Sequence, residues 1–200
     1  MIEPFPSHID RRDFGNWLSG FVDGEGCFHL GSYRARSSDK SNPIVYTNHR
    51  SKFVINLRAD DFEALSLAQR FWGCGSLYEN SHPPSRTKRT NAGTLFSVDR
   101  WQELLNIVIP HFEEFPLRAK KANDFAIWAE GTRLIAEVMN RPRRGRGPGQ
   151  VGSASRWTES EKKHFIYLRD KLRGQRKFTN KMVPEMPARL CPTEEQKTLF

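Results

Sequence analysis

Cysteine is scarce in this chain, a long apolar run is missing, and its most distinctive motif occurs once; each shortage excludes a class of protein. Cys27, Cys74 and Cys191 are the only cysteines in 200 residues, far apart and without CxxC spacing. That argues against a disulfide scaffold and a structural zinc site. It fits a reducing intracellular compartment, with cytoplasm, nucleoid and organelle matrix left open. No apolar stretch approaches the roughly 20 residues that span a bilayer, so no membrane partner is expected. The opening MIEPFPSHID carries acids and lacks the charged-then-apolar order of a secretory or transit peptide. Acidic residues also run short in one region. Residues 1–140 hold 17 Lys/Arg and 17 Asp/Glu, whereas residues 141–200 hold 15 and 6, so the +9 net charge sits entirely in the last 60 residues. A tail of that sign favours a polyanionic partner through counterion release.

Periodicity places the elements. Phe14, Trp17, Leu18, Phe21 and Val22 recur at helical spacing, so residues 10–24 form a helix capped by Asp10 or Asp13. Alternation gives strands over 26–36 and 48–58, with Phe28, Leu30, Phe53, Ile55 and Leu57 turned to a core. A helix over 60–72 carries Phe62, Leu65, Ala68 or Gln69, and Trp72 as its apolar stripe. Gly73-Cys74-Gly75 breaks it before a strand at 76–80. A strand near 94–99, a helix over 100–109 ended by Pro110, and a long helix from 117 to 139 complete residues 1–140 as an α+β domain with an antiparallel sheet. Residues 141–156 form a basic Gly/Pro/Arg linker with little to bury. Residues 157–200 hold a basic tail helix and an irregular end. Thr158 and Glu161 make a capping box there, Phe165, Leu168 and Leu172 line one face, and Gly174 stops the helix.

The most informative stretch is Trp17 to Phe28, WLSGFVDGEGCF. Gly20 and Gly24 lie one helical turn apart, with Ser19 as a third small side chain. Glycine inside a helix costs about 1 kcal/mol relative to alanine, so a close approach by another helix is the expected compensation. That helix belongs either to a partner or to the 117–139 segment. Glu25 ends the helix between two glycines, unshielded, and the Gly24 carbonyl is available as a second oxygen donor. Hard oxygen donors suit Mg²⁺, with Mn²⁺ as a substitute.

The nine residues Leu18-Ser19-Gly20-Phe21-Val22-Asp23-Gly24-Glu25-Gly26 resemble the signature of the LAGLIDADG homing endonucleases, with Glu25 where the signature has aspartate. The resemblance covers roughly residues 10–139. It implies an αββαββα fold whose saddle-shaped sheet sits in the major groove of double-stranded DNA. It implies a helix interface through Trp17, Gly20, Phe21 and Gly24, and a catalytic, metal-binding carboxylate at Glu25. Phe115-Pro116-Leu117-Arg118-Ala119-Lys120-Lys121 resembles the family's basic stretch, in which a lysine sits near the scissile phosphate. Arg118 and Lys120 are the candidates for that role, with Lys121 behind them. Asn56 or Arg58 would stand beside the catalytic water. One motif supplies one carboxylate, so the chain resembles the homodimeric branch, which implies a long pseudo-palindromic target cut to leave short 3′ overhangs.

Base readout is expected from the outward sheet face. His29, Tyr33, Asn48, Arg50, Lys52, Tyr78, Asn80 and Ser97 alternate there with core residues. Arg34, Arg36, Arg86, Lys88 and Arg89 fall in loops and suit phosphates. The tail helix 158–173, with its Arg-rich linker, is expected to clamp the DNA flank. Two other readings share these residues. One is a maturase that binds group I intron RNA, for which the basic loops and the Arg/Gly linker serve equally well. The other is a DNA-binding regulator without cleavage, against which the intact Gly-Glu-Gly end argues.

Overall fold

The computed structural model describes residues 2–36, 45–80, 93–141 and 156–175. Arg86, Lys88 and Arg89, nearly all of the basic linker and the end of the tail lie outside the described residues. Helix α1 (Arg11–Glu25) is capped by Asp10, whose carboxylate accepts from the Asp13 N–H at 2.8 Å. Gly26 leaves it in extended backbone, so strand β1 (Gly26–Arg36) follows without a turn. Strand β2 (Val45–Arg58) pairs antiparallel with β1, and a short 3₁₀ turn (Ala59–Asp61) leads into α2 (Phe62–Trp72). Gly73, at φ 65°, caps α2 in the left-handed conformation that glycine adopts without steric cost, and its N–H donates to the Gln69 carbonyl at 2.8 Å. Strands β3 (Ser76–Asn80) and β4 (Gly93–Val98) complete one antiparallel sheet of order β1-β2-β4-β3. Helices α3 (Trp101–Glu103) and α4 (Ile109–Glu114), joined by a π turn at Leu104–Val108, precede α5 (Lys121–Asn140) and α6 (Glu159–Gln175).

The helices cover one face of the sheet. Phe28, Leu30, Phe53, Ile55, Phe96 and Val98 point into that side and are at most 2% exposed. The Phe28 ring lies 4.9 Å from Trp128, 5.4 Å from Phe53, 5.6 Å from Phe112 and 5.7 Å from Phe125, so one strand residue ties α4, α5 and β2 together. Area burial alone contributes roughly 1.5–3 kcal/mol for each such side chain. A Cβ on Gly131 would lie 2.6 Å from the Leu30 side chain, so this glycine lets α5 settle directly on the sheet.

Four local expectations need correction. Pro110 does not end its helix; the chain stays helical to Glu114. Proline lacks the N–H that an α-turn needs, and the wider π turn just before it carries the backbone past the missing donor. The long helix starts at Lys121 rather than 117, because Pro116 through Lys120 form a separate turn. Phe62 is 40% exposed and leaves the α2 stripe to Leu65, Ala68 and Trp72. Gly174 lies within α6, which runs on to Gln175.

The capping box is present: the Thr158 N–H donates to the Glu161 carboxylate at 2.8 Å, and the Glu161 N–H donates to the Thr158 hydroxyl at 3.3 Å. Phe165, Leu168 and Leu172 join the same apolar core as the sheet. Alternation along β2 turns Ser51 and His49 to the helix side. Ser51 bonds Thr132 of α5 at 2.6 Å, and the His49 ring sits 4.5 Å from both Trp157 and Phe165. Arg169 of α6 donates to the Ser32 hydroxyl at 3.3 Å. Helix α6 is thus docked on the face opposite Tyr33 and Arg50.

Candidate active site

Helix α1 ends with two carboxylates, Asp23 and Glu25, and no basic residue in its last turn. That arrangement opposes the negative end of the helix dipole, so the compensation has to come from elsewhere in the chain. It comes from the turn before α5. The Asp23 carboxylate accepts from the backbone N–H groups of Arg118 at 2.8 Å and Ala119 at 3.2 Å. In return, the Lys121 ammonium donates to the Gly26 carbonyl at 2.6 Å and to the Gly24 carbonyl at 3.2 Å. The two elements are latched in both directions across more than 90 residues. Burial pulls the Lys121 ammonium below its usual range, opposed by the nearby Cys27, Asp124, Asp23 and Glu25.

The latch leaves Glu25 exposed at the tip, with open space around Gly24. Of the three basic candidates, Lys121 reaches the motif with its side chain. Arg118 meets it through its backbone N–H, and Lys120 is exposed at the N-cap of α5. The sequence ranks Lys121 behind Arg118 and Lys120 and gives Asp23 no role, although an acid at a helix C-terminus is a legible sign that a donor must approach it. The Gly24 carbonyl already accepts from Lys121 at 3.2 Å, which leaves one of its two lone pairs for a cation.

The flank of α1 divides by contact. Ser19 is buried and donates to the Phe115 carbonyl at 2.6 Å, with His111 Nε2 at 3.3 Å, so it is not part of an outer small-residue face. A Cβ added at Gly20 or Gly24 would meet nothing within 4 Å among the described residues, so no described helix packs closely over that flank. Trp17, 44% exposed, stacks on Phe21 at 5.0 Å beside them.

The motif, the αββαββα order and the latch converge with one comparison: a model of the LAGLIDADG endonuclease family matches residues 18–131. The chain belongs to the LAGLIDADG endonuclease family. It is 28% identical over 134 residues to the probable intron-encoded endonuclease Cox1-I1b of Schizosaccharomyces pombe, covering 67% of this chain and 30% of that protein. It is 29% identical over 121 residues to the probable intron-encoded endonuclease 3 of Neurospora crassa, covering 60% and 20%. The chain therefore spans less than a third of the length of these curated relatives. Its fold is similar to that of the homing endonuclease I-TnaI (TM-score 0.57, 20% identity, 80% of this chain and 94% of the other). It also resembles I-SmaMI bound to cleaved DNA (TM-score 0.57, 18% identity, 81% and 44%).

On the LAGLIDADG sheet, the face away from the helices carries most of the residues expected to read bases. Tyr33 and Tyr78 are about half exposed, Arg50 is exposed, and His29, Asn48 and Lys52 are half-buried. Register puts His29 opposite Lys52, Gly31 opposite Arg50 and Tyr33 opposite Asn48. The Arg50 guanidinium lies 5.5 Å from the Tyr33 ring centre, and Asn48 donates to the Tyr33 hydroxyl at 3.4 Å. Lys52 is held at 3.4 Å by Asp99. Ser97 is the exception: it shares this face by register with Val54, yet it is 1% exposed and donates to Asp99. Arg34 and Arg36 are exposed in β1 itself rather than in a loop, and Asn80 closes β3 with its side chain outside the described residues. Asn56 and Arg58 are exposed near the end of β2, and Arg58 pairs with Asp60 at 3.1 Å.

The donor chemistry fits a hard dication, for which Glu25 and the Gly24 carbonyl offer oxygen. No group of three or more His, Cys, Asp or Glu side chains gathers to hold a metal among the described residues, so one chain offers part of a coordination shell. No helix among the described residues is long and apolar enough to cross a membrane.

Proposed function

We propose that this chain is one half of a site-specific, metal-dependent double-strand DNA endonuclease that works as a homodimer. The observation that carries the proposal is Glu25, an exposed carboxylate beside Lys121 at the end of a helix whose Trp17-Gly20-Gly24 face is uncovered. Two copies packed through that face about a two-fold axis bring two Glu25 side chains together, one for each DNA strand, at a long pseudo-palindromic target. Mg²⁺ or Mn²⁺, held by Glu25 with the Gly24 carbonyl, would supply charge neutralisation at the phosphate and a more acidic water. Lys121 keeps a fixed positive charge next to that carboxylate, where it stabilises negative charge developing on phosphate. Asp23 fixes the position of Lys121 by holding the turn that precedes α5. His29, Tyr33, Asn48 and Arg50 face bases, whereas Arg34 and Arg36 share the β1 face of Leu30 and Ser32. I-SmaMI bound to cleaved DNA shares the fold and supports the reading.

The test incubates the protein and its Glu25→Gln variant with a randomised plasmid library, with Mg²⁺ or with EDTA, and sequences new ends. Metal-dependent cuts at one long, near-palindromic site are expected, with the variant slower by at least about 10²-fold. The variant is expected to keep its DNA affinity; lost affinity would assign Glu25 a structural role. Absence of cuts, with tight binding to a structured intron RNA, would put the maturase reading first.

A further inference from the structure

Strand β4 pairs with β2 from Phe53 to Arg58 only, so the outer part of the sheet, Leu30 to Arg36 against Val45 to Ser51, is a ribbon of two strands among the described residues. A lone two-stranded ribbon is marginally stable in water and twists more than a wider sheet. This one nevertheless carries Tyr33, Asn48 and Arg50, outward residues assigned above to base contact. The Arg50 guanidinium lies 5.5 Å from the Tyr33 ring centre and Asn48 donates to the Tyr33 hydroxyl at 3.4 Å, so the three form one cluster.

The ribbon is gripped from its other face. Ser32 and His49 form the rung between Tyr33–Asn48 and Gly31–Arg50, and alternation turns both toward the helices. The Ser32 hydroxyl lies 2.9 Å from His49 Nδ1, and Arg169 of α6 donates to the same hydroxyl at 3.3 Å. A guanidinium can only donate, so the Ser32 oxygen accepts from Arg169 and the Ser32 proton is free for His49. The His49 ring packs 4.5 Å from Trp157 and from Phe165, and Asp170 holds Arg169 Nε at 2.9 Å. One hydroxyl thus joins both strands of the ribbon to α6 directly behind the Tyr33 cluster. Tyr33 lies seven residues beyond Gly26, roughly 23 Å along β1 at about 3.3 Å per residue. At about 3.4 Å per base step, that reach corresponds to about seven base pairs from the phosphate at Glu25.

We propose that Arg169 and Ser32 are positioning residues for base recognition: α6 fixes the outer β1–β2 ribbon from behind the sheet and so sets sequence preference at the outer base pairs of the target, without touching DNA. The inference rests on the DNA-recognition part of the endonuclease reading. The test selects duplexes from a randomised pool with the full chain in EDTA, so that binding preference is read apart from cleavage. Arg169→Ala, Ser32→Ala and the double variant are selected in parallel. Discrimination per base pair in specific complexes is typically about tenfold or more. Each single variant is expected to lower it to about twofold at pairs about six to eight from the cut position and to leave the inner pairs unchanged. The double variant should lose little more than either single one, because both act through one hydroxyl. Amide exchange should quicken at residues 31–34 and 47–50 and stay slow at residues 53–57. Unchanged outer preference, an equal loss across the whole target, or additive losses in the double variant would each overturn the proposal. A chain that selects a sequence but does not cut it in Mg²⁺ would overturn the endonuclease reading, while the variants still decide this one. A chain that selects no sequence would overturn both.

Discussion

His111 offers the most direct check on how the core is wired to the motif helix. Its ring is 6% exposed, between Phe71, Trp72, Phe112 and Phe115 at 4.8–5.7 Å. Ser19 spends its one proton on the Phe115 carbonyl, which leaves His111 Nε2 to donate to the Ser19 oxygen. Burial of the charged form pushes its pKa from 6.5 down to about 4, even though a cation near the end of α4 gains from the helix dipole. The folded pKa lies below the unfolded one, so the unfolded chain binds more protons between them. Stability from this group is therefore complete above pH 6.5 and is lost as pH falls toward 4. At about 1.4 kcal/mol per pK unit, the loss is about 3 kcal/mol. Urea unfolding followed by tryptophan fluorescence between pH 4 and 7.5, for the protein and for His111→Gln, isolates it. The glutamine variant is expected to be weaker at neutral pH and to lose about 3 kcal/mol less on acidification. Parallel stability curves would refute the reasoning and place the acid sensitivity elsewhere.

Two further perturbations address the site. Asp23→Ala removes the single carboxylate oxygen that accepts from both N–H groups of residues 118 and 119, so stability measured by denaturant should fall by roughly 2–4 kcal/mol and Lys121 should lose its place beside Glu25. A change below 1 kcal/mol would mean that the latch is not holding α5 on α1. Gly20→Ala and Gly15→Ala make a contrasting pair on the same helix. The first meets open space and should stabilise an isolated chain by about 1 kcal/mol while weakening its self-association, read by sedimentation. The second places a Cβ 2.7 Å from the Phe115 ring and should destabilise despite its better helix propensity. Equal effects at both positions would contradict the division of α1 into an inner and an outer face.

Much of the fold was legible because its signals are local. Alternation through Phe28 and Leu30, and through Phe53 and Ile55, fixes which strand face is buried, and strand β1 runs over the expected residues. The box at Thr158 and Glu161 needs only residues three apart, and it formed. Misreadings arose where a local rule met a distant partner. Pro110 breaks an α-turn, but the preceding π turn changes the hydrogen-bond pattern in which its missing donor counts. Ser97 sits on the outward face by alternation, yet Lys52 and Asp99 gather over it. Ser19 looked like part of a smooth glycine face until His111 and Phe115 arrived from α4 and the residue after it.

The active-site candidates divide along the same line. Glu25, Gly20 and Gly24 could be named from one helix, because spacing along a helix determines which residues share its end and its flank. Choosing Lys121 over Arg118 and Lys120 could not be done that way. All three lie within four residues, and helical phase does not distinguish them until α5 begins at Lys121. Asp23 holds that turn from more than 90 residues away, and the Lys121 ammonium lies against the carbonyls of Gly24 and Gly26. Patterning along the chain determines the elements and their buried faces; which cation meets which carboxylate depends on contacts that close long loops, and only the packed chain selects them.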